Sequence, residues 1–98
     1  MLRVMDIQLV CTDLGRRAEV RDLLRKATGR RDTDDGVSID FPPDDTTAQT
    51  LLEFVLAERR CCAQFTYEMA FAPKSERLTL RLRASGVYRV ALKAMYAV

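Results

Sequence analysis

Two adjacent cysteines, Cys61 and Cys62, close the run Glu58-Arg59-Arg60-Cys61-Cys62, and a third, Cys11, stands far upstream. The chain has 3 cysteines and no histidine, which narrows its chemistry. Thiols in this setting ligate a soft metal ion, cycle through a disulfide, or pack as small hydrophobes. Three thiolates without imidazole suit Hg(II), Cu(I) or As(III)-like species by ligand softness, and Zn(II) with Glu58 or water as a fourth ligand. A Cys-His hydrolase is excluded, since no imidazole exists to activate the thiol, and no catalytic residue is assigned.

A redox role is the second reading. Neighbouring cysteines close only a strained small ring, because their Cα atoms lie closer than a relaxed disulfide prefers. A bond from Cys11 to Cys61 or Cys62 is geometrically more reasonable. No C-x-x-C spacing opens a helix, so a thioredoxin-like activity has little support. The third reading is packing alone: buried free cysteine is common, and Cys11 on a strand would then be core. The protein would be a non-catalytic interaction domain whose outward sheet face dimerises.

The elements that must position these residues follow from hydrophobic period. Met5, Ile7, Leu9 and Cys11 alternate with Asp6, Gln8, Val10 and Thr12, which predicts a strand with Cys11 on its buried side. Thr12 or Asp13 caps a following helix through about Lys26, Gly29 offers a stop, and the polar residues 30–36 read as a loop. Val37, Ile39 and Phe41 form the buried row of a second short strand that Pro42-Pro43 ends. Asp44, Asp45, Thr46 and Thr47 offer caps for a second helix reaching Cys62. Phe65, Tyr67, Met69 and Phe71 form the inward row of a third strand, and Leu78, Leu80 and Leu82 that of a fourth. The short segment 73–76 makes these two an antiparallel hairpin. A last helix starts near Gly86 with Ser85 as cap and carries Val87, Val90, Ala91, Ala94 and Met95 as its apolar residues.

The order β-α-β-α-β-β-α predicts one α+β domain over residues 1–98, a two-layer sandwich with a four-stranded mixed sheet and helices mainly on one face. A thioredoxin-like fold has the same order and is the alternative. The polar outward row Arg77, Thr79, Arg81 and Arg83 favours the sandwich, because a sheet covered on both faces tends toward continuous apolar runs. The other face is wet or covered by a second subunit, so a homodimer is one expectation.

On the second helix, at roughly 100° per residue, Leu51, Leu52, Phe54, Val55 and Leu56 define one apolar arc. Cys62 falls near its middle and Cys61 at its edge. Glu58 falls inside it, one turn from Cys62. A carboxylate on such a stripe needs a hydrogen-bond partner, a cation or a proton, since burying it alone is costly. Arg59 also falls in the arc, but its long stem carries the charge back to water. The first strand faces the layer into which this helix packs, so one geometry would bring Cys11, Cys61, Cys62 and Glu58 together. A helix C-terminus disfavours thiolate, whereas Arg59 and Arg60 and a bound metal favour it.

Composition bounds the remaining options. A chain with 48% hydrophobic and 31% charged residues is that of an ordinary globular domain. A net charge of +2, with acidic and basic residues interspersed, gives no case for a nucleic-acid groove. No apolar run approaches the roughly 20 residues that span a bilayer, and no secretory leader pattern is visible, so a cytoplasmic protein is expected. In that reducing compartment an odd number of cysteines argues against a disulfide framework. The aromatic row of the third strand reads as core rather than a stacking platform. Arg77, Arg81 and Arg83, with Glu68, Asp40 and Asp6 on the same face, read as a solvated or dimer-forming surface. No glycine-rich phosphate loop is present.

The segment Glu58 to Cys62 followed by Phe65, with the early Cys11 and the Asp35-Gly36…Phe41 stretch, resembles a group of small bacterial proteins. That group carries a Glu-x-x-Cys-Cys motif followed by an aromatic residue, an early cysteine and an Asp-Gly-x-x-x-x-Phe stretch, and is associated with mercury or other metal resistance. The resemblance covers most of the chain on few positions, and it implies Cys11, Cys61 and Cys62 as thiolate ligands. This chain departs from the pattern with Ala63 where proline is frequent and Ser85-Gly86 where Gly-Pro is frequent. The expectation that emerges is a small protein that binds or hands over a thiophilic metal or metalloid ion.

Overall fold

Alternating Val37, Ile39 and Phe41 on one strand and Leu78, Leu80 and Leu82 on another are the centre of the fold, each with 0% exposure. In the computed structural model of the chain, which describes residues 14–97, helix α1 spans Leu14–Arg25, strands β1 and β2 span Gly29–Thr33 and Gly36–Phe41, and helix α2 spans Asp45–Cys61. Strand β3 covers Thr66–Phe71, a 3-10 turn Pro73–Ser75, strand β4 Leu78–Arg83 and helix α3 Val87–Met95. The strand expected over residues 5–11, with Cys11 and the caps at Thr12 and Asp13, lies outside the described residues.

The α+β class holds, with helices packed on a four-stranded sheet, and among the described residues that sheet is antiparallel where a mixed one was expected. Its order is β1-β2-β4-β3, and all three neighbouring pairs are antiparallel. The residues read as a loop, 30–36, are in fact strand β1 and the two-residue connection Asp34-Asp35, with Thr33 paired to Gly36. A hairpin of that length can only be antiparallel. Among the described strands no parallel pair exists that the thioredoxin-like alternative would require. Gly29 therefore opens a strand rather than only closing a helix. Strand β1 lacks an apolar alternation because it is an exposed edge, and its charged Arg30, Arg31 and Asp32 suit an edge that must not pair with another sheet.

Gly36 is fixed by close approach. A Cβ there would lie 1.8 Å from the Leu82 carbonyl oxygen, so the seam between β2 and β4 tolerates no side chain at this point. Val20 and Leu23 from α1, Leu51, Phe54 and Val55 from α2, and Leu92 and Tyr96 at the end of α3 join the inner sheet face in one hydrophobic cluster. Each fully buried aliphatic side chain contributes about 1.5–3 kcal/mol relative to exposure.

Three expected faces are narrower or rotated. On α2, Leu52 and Leu56 are 47% and 41% exposed, so the buried stripe is Leu51, Val55, Glu58 and Cys62 with Phe54 beside it. On α3, Val87, Val90 and Ala94 face solvent. The helix instead packs through Tyr88, Leu92, Met95 and the C-capping Tyr96, because larger side chains at i, i+4 and i+8 outweigh a stripe of valine and alanine. Its N-cap is Gly86, at φ 59 and without a side-chain cap bond, rather than Ser85, whose carbonyl accepts from the Tyr88 amide. Of the row expected on the third strand, Phe65, just before β3, is buried and Tyr67 and Met69 are half-buried, but Phe71, at the far end of an edge strand, is 54% exposed.

Candidate functional site

The site is built by the C-terminal half of α2. Asp44 starts the helix as its N-cap, with its carboxylate accepting from the Thr47 amide and hydroxyl, both at 2.8 Å. These bonds hold the Asp44 carboxyl below its ordinary pKa, the backbone amide of Thr47 being the larger cause and its hydroxyl the next. From that start the helical period places Leu51, Val55, Glu58 and Cys62 on one buried line.

Glu58 has 0% exposure and Cys62 3%. The Cys62 sulfur lies 3.8 Å from Glu58 Oε2. The same oxygen accepts from the Tyr96 hydroxyl at 3.4 Å, and Tyr96 is itself 0% exposed. Cys62 is disulfide-bonded, and Cys61 beside it is half-buried and outside that disulfide. The helix end is held firmly: the Cys62 amide donates to the Glu58 carbonyl at 2.8 Å, and the Cys62 carbonyl accepts from the Phe65 amide at 3.1 Å and the Tyr67 hydroxyl at 3.4 Å.

Of the four residues singled out from the sequence, Glu58 and Cys62 meet in the interior as their one-turn spacing requires. Cys61 adjoins them at the margin of the buried stripe. Cys11 lies outside the described residues. Among the described residues no group of three or more histidine, cysteine, aspartate or glutamate side chains converges as a complete metal shell. Arg59 and Arg60 are exposed, as a snorkelling stem allows.

Tyr96 is the residue that sequence reasoning missed. It reaches Glu58 across 38 positions of chain, and the C-terminal end that carries it is fastened twice. The Arg30 Nε donates to the Tyr96 carbonyl at 3.0 Å, and the Lys93 ammonium to the Thr33 carbonyl at 2.7 Å. The signal for Tyr96 in the sequence is the i, i+4, i+8 row Tyr88, Leu92 and Tyr96.

The outward sheet face has a different chemistry. Asp40 accepts from the Thr79 hydroxyl at 2.7 Å and lies 3.6 Å from an Arg31 nitrogen and 4.0 Å from Arg77. Arg83 pairs with Glu68 at 3.6 Å, and Arg31 donates to the Ser38 hydroxyl at 3.2 Å. The basic row is thus interleaved with acids. No helix among the described residues is long and apolar enough to cross a membrane. In comparisons with known proteins, no family model, curated protein or solved structure matches this chain.

Proposed function

We propose that this chain, in its reduced form, binds a thiophilic metal or metalloid ion through Cys11, Cys61 and Cys62, with Glu58 as a further ligand or as an acceptor beside them, and acts as a cytoplasmic binding or handover protein. The observation that carries the reading is the buried Glu58 carboxylate aimed at the Cys62 sulfur at 3.8 Å. Sulfur and oxygen ligands of one tetrahedral Zn(II) stand about 3.5 Å apart, from bond lengths of about 2.3 and 2.0 Å. The pair therefore has the spacing of two donors to one ion. Cys61, half-buried next in the chain, supplies a second sulfur with access to solvent for ion entry. The resemblance to small proteins of mercury and metal resistance points the same way, toward soft ions such as Hg(II), Cu(I) or As(III), or toward Zn(II).

Native mass spectrometry of the anaerobically reduced chain with Hg(II), Cu(I), Zn(II) and arsenite tests this. One ion per chain in the wild type and none in a Cys61→Ser/Cys62→Ser variant is the expected result. Equal uptake by that variant removes the reading.

A second reading is favoured by the disulfide at Cys62: a thiol-disulfide protein using Cys11 with the vicinal pair. Mapping of alkylated and disulfide-linked peptides across a glutathione redox titration checks it. A reversible Cys11-linked disulfide supports it, and its absence over the whole titration contradicts it.

A further inference from the structure

The two edges of the sheet are guarded differently. Among the described residues β1 and β3 each have a neighbouring strand on one side only. Strand β1 carries three successive charges, Arg30, Arg31 and Asp32, whereas β3 has Glu68 as its single charge. An unguarded edge is a template for another strand. From this edge and the groove beside it we infer that β3 pairs antiparallel with β3 of a second copy of the chain about a two-fold axis, joining the two sheets into one. The interface is an edge, distinct from the outward sheet face, and is independent of the cysteine chemistry.

The register follows from hydrogen bonds within the sheet. The Ala72 amide donates to the Arg77 carbonyl and the Ala84 amide to the Asp35 carbonyl, both at 2.9 Å. Bonded pairs alternate along an antiparallel ladder, so Glu68 and Ala70 bond to β4, and the backbone amides and carbonyls of Met69 and Phe71 point to the open edge. A two-fold axis at Met69 sets Met69 against the partner's Met69, Tyr67 against the partner's Phe71, and Glu68 against the partner's Ala70. An axis at Glu68 would oppose two carboxylates, which is destabilising, and an axis at Ala70 would shorten the paired stretch.

The side chains fit a second copy. Phe71 is 54% exposed. Val55, Leu56, Phe65 and Tyr67 line a groove between α2 and β3, with Arg59 and Arg60 at its rim. Tyr67 is a wall of that groove and, in the register centred on Met69, stands opposite the partner's Phe71 on the inner side of the sheet. The exposed ring of each copy thus enters the groove of the other. Six strand residues and one groove fall short of the roughly 20–30 residues per side of a standard interface, so the dimer is weak and reversible.

Sedimentation equilibrium of the full chain from about 1 µM to about 1 mM, with and without reductant, tests this together with amide hydrogen exchange followed by NMR. A reversible dimer is expected in both conditions, with protection of the Met69 and Phe71 amides rising as the dimer fills. Phe71→Ser is expected to weaken association about tenfold or more. Ala70→Glu sets a carboxylate opposite the partner's Glu68 and Ala70→Lys an ammonium, so about threefold weaker and about threefold tighter association are expected. Both positions are exposed, so the variants keep the fold, which circular dichroism checks. A dimer indifferent to Phe71→Ser, or one that responds alike to both Ala70 variants, overturns the inference. So does a dimer seen only without reductant, which is a cysteine cross-link. A monomer throughout overturns it too: Met69 and Phe71 amides protected at every concentration would assign the edge to the chain's own residues 1–13, and unprotected amides would leave it open.

Discussion

Asp40 and Glu58 lie on opposite sides of the inner sheet layer and solve the problem of a shielded carboxylate differently. Asp40, with a side chain 16% exposed, gathers a threonine hydroxyl and two arginines at the margin of water. Such an arrangement costs little, because solvent still screens the charges. Glu58 is wholly inside and directs an oxygen at both a tyrosine hydroxyl and a cysteine sulfur. Leucine or methionine in that place would serve packing at least as well, since buried ionisable groups are weak sources of stability. The outer acid is explained by the fold that surrounds it. The inner one is explained by what it stands beside.

The largest effect expected comes from removing the frame that separates the two. Gly36→Ala would drive a methyl group into the Leu82 carbonyl, which is backbone and cannot swing aside, so a loss of about 3 kcal/mol or more is expected in denaturant unfolding. A variant within a few tenths of wild type would mean that β2 and β4 are not this close. Next, Glu58→Gln is expected to lower Zn(II) affinity by about tenfold, near 1.4 kcal/mol, with circular dichroism unchanged. Asp40→Asn should cost no more than about 1 kcal/mol, and that cost should shrink as salt is added, because its partners are half-exposed. If Asp40→Asn altered metal affinity, the contrast between the two acids would fail.

The smallest effect concerns the helix that carries the site. The Thr47 amide, and after it the Thr47 hydroxyl, hold the Asp44 carboxyl of the folded chain below its ordinary, unfolded pKa. Its capping contribution is therefore fully present above that unfolded value and is lost as pH falls through the lower, folded one. Thermal melts of wild type should lose stability over that acid window more steeply than those of Asp44→Ala, and parallel curves for the two proteins would contradict the cap.

The shared buried face of Glu58 and Cys62 was legible in the sequence because α2 is long, capped and strongly periodic. Glu58 and Cys62 are four positions apart, and Leu51 and Val55 mark the face they share. The rows Val37, Ile39, Phe41 and Leu78, Leu80, Leu82 were equally plain, since strict alternation beside Pro42-Pro43 leaves no other period. Strand β1 was not legible, because an exposed polar edge writes no hydrophobic pattern; pairing with β2 creates it. That omission also hid the two-residue hairpin that makes the described sheet antiparallel. The phase of α3 was not legible because apolar residues occur on two arcs of its nine residues, and only contact with the sheet selects Leu92 and the C-capping Tyr96. Tyr96 beside Glu58 is a tertiary fact that no local spacing encodes.

The central claim is that the vicinal pair forms a metal-binding site in the reduced protein. Its most direct test is an anaerobic Hg(II) titration of the reduced chain, followed by thiolate-to-metal charge-transfer absorption, for wild type, Cys61→Ser and Cys62→Ser. The account predicts an endpoint at one Hg(II) per chain for wild type and a marked loss of affinity in both variants, greater for the buried Cys62. An endpoint and affinity unchanged by either substitution would contradict it.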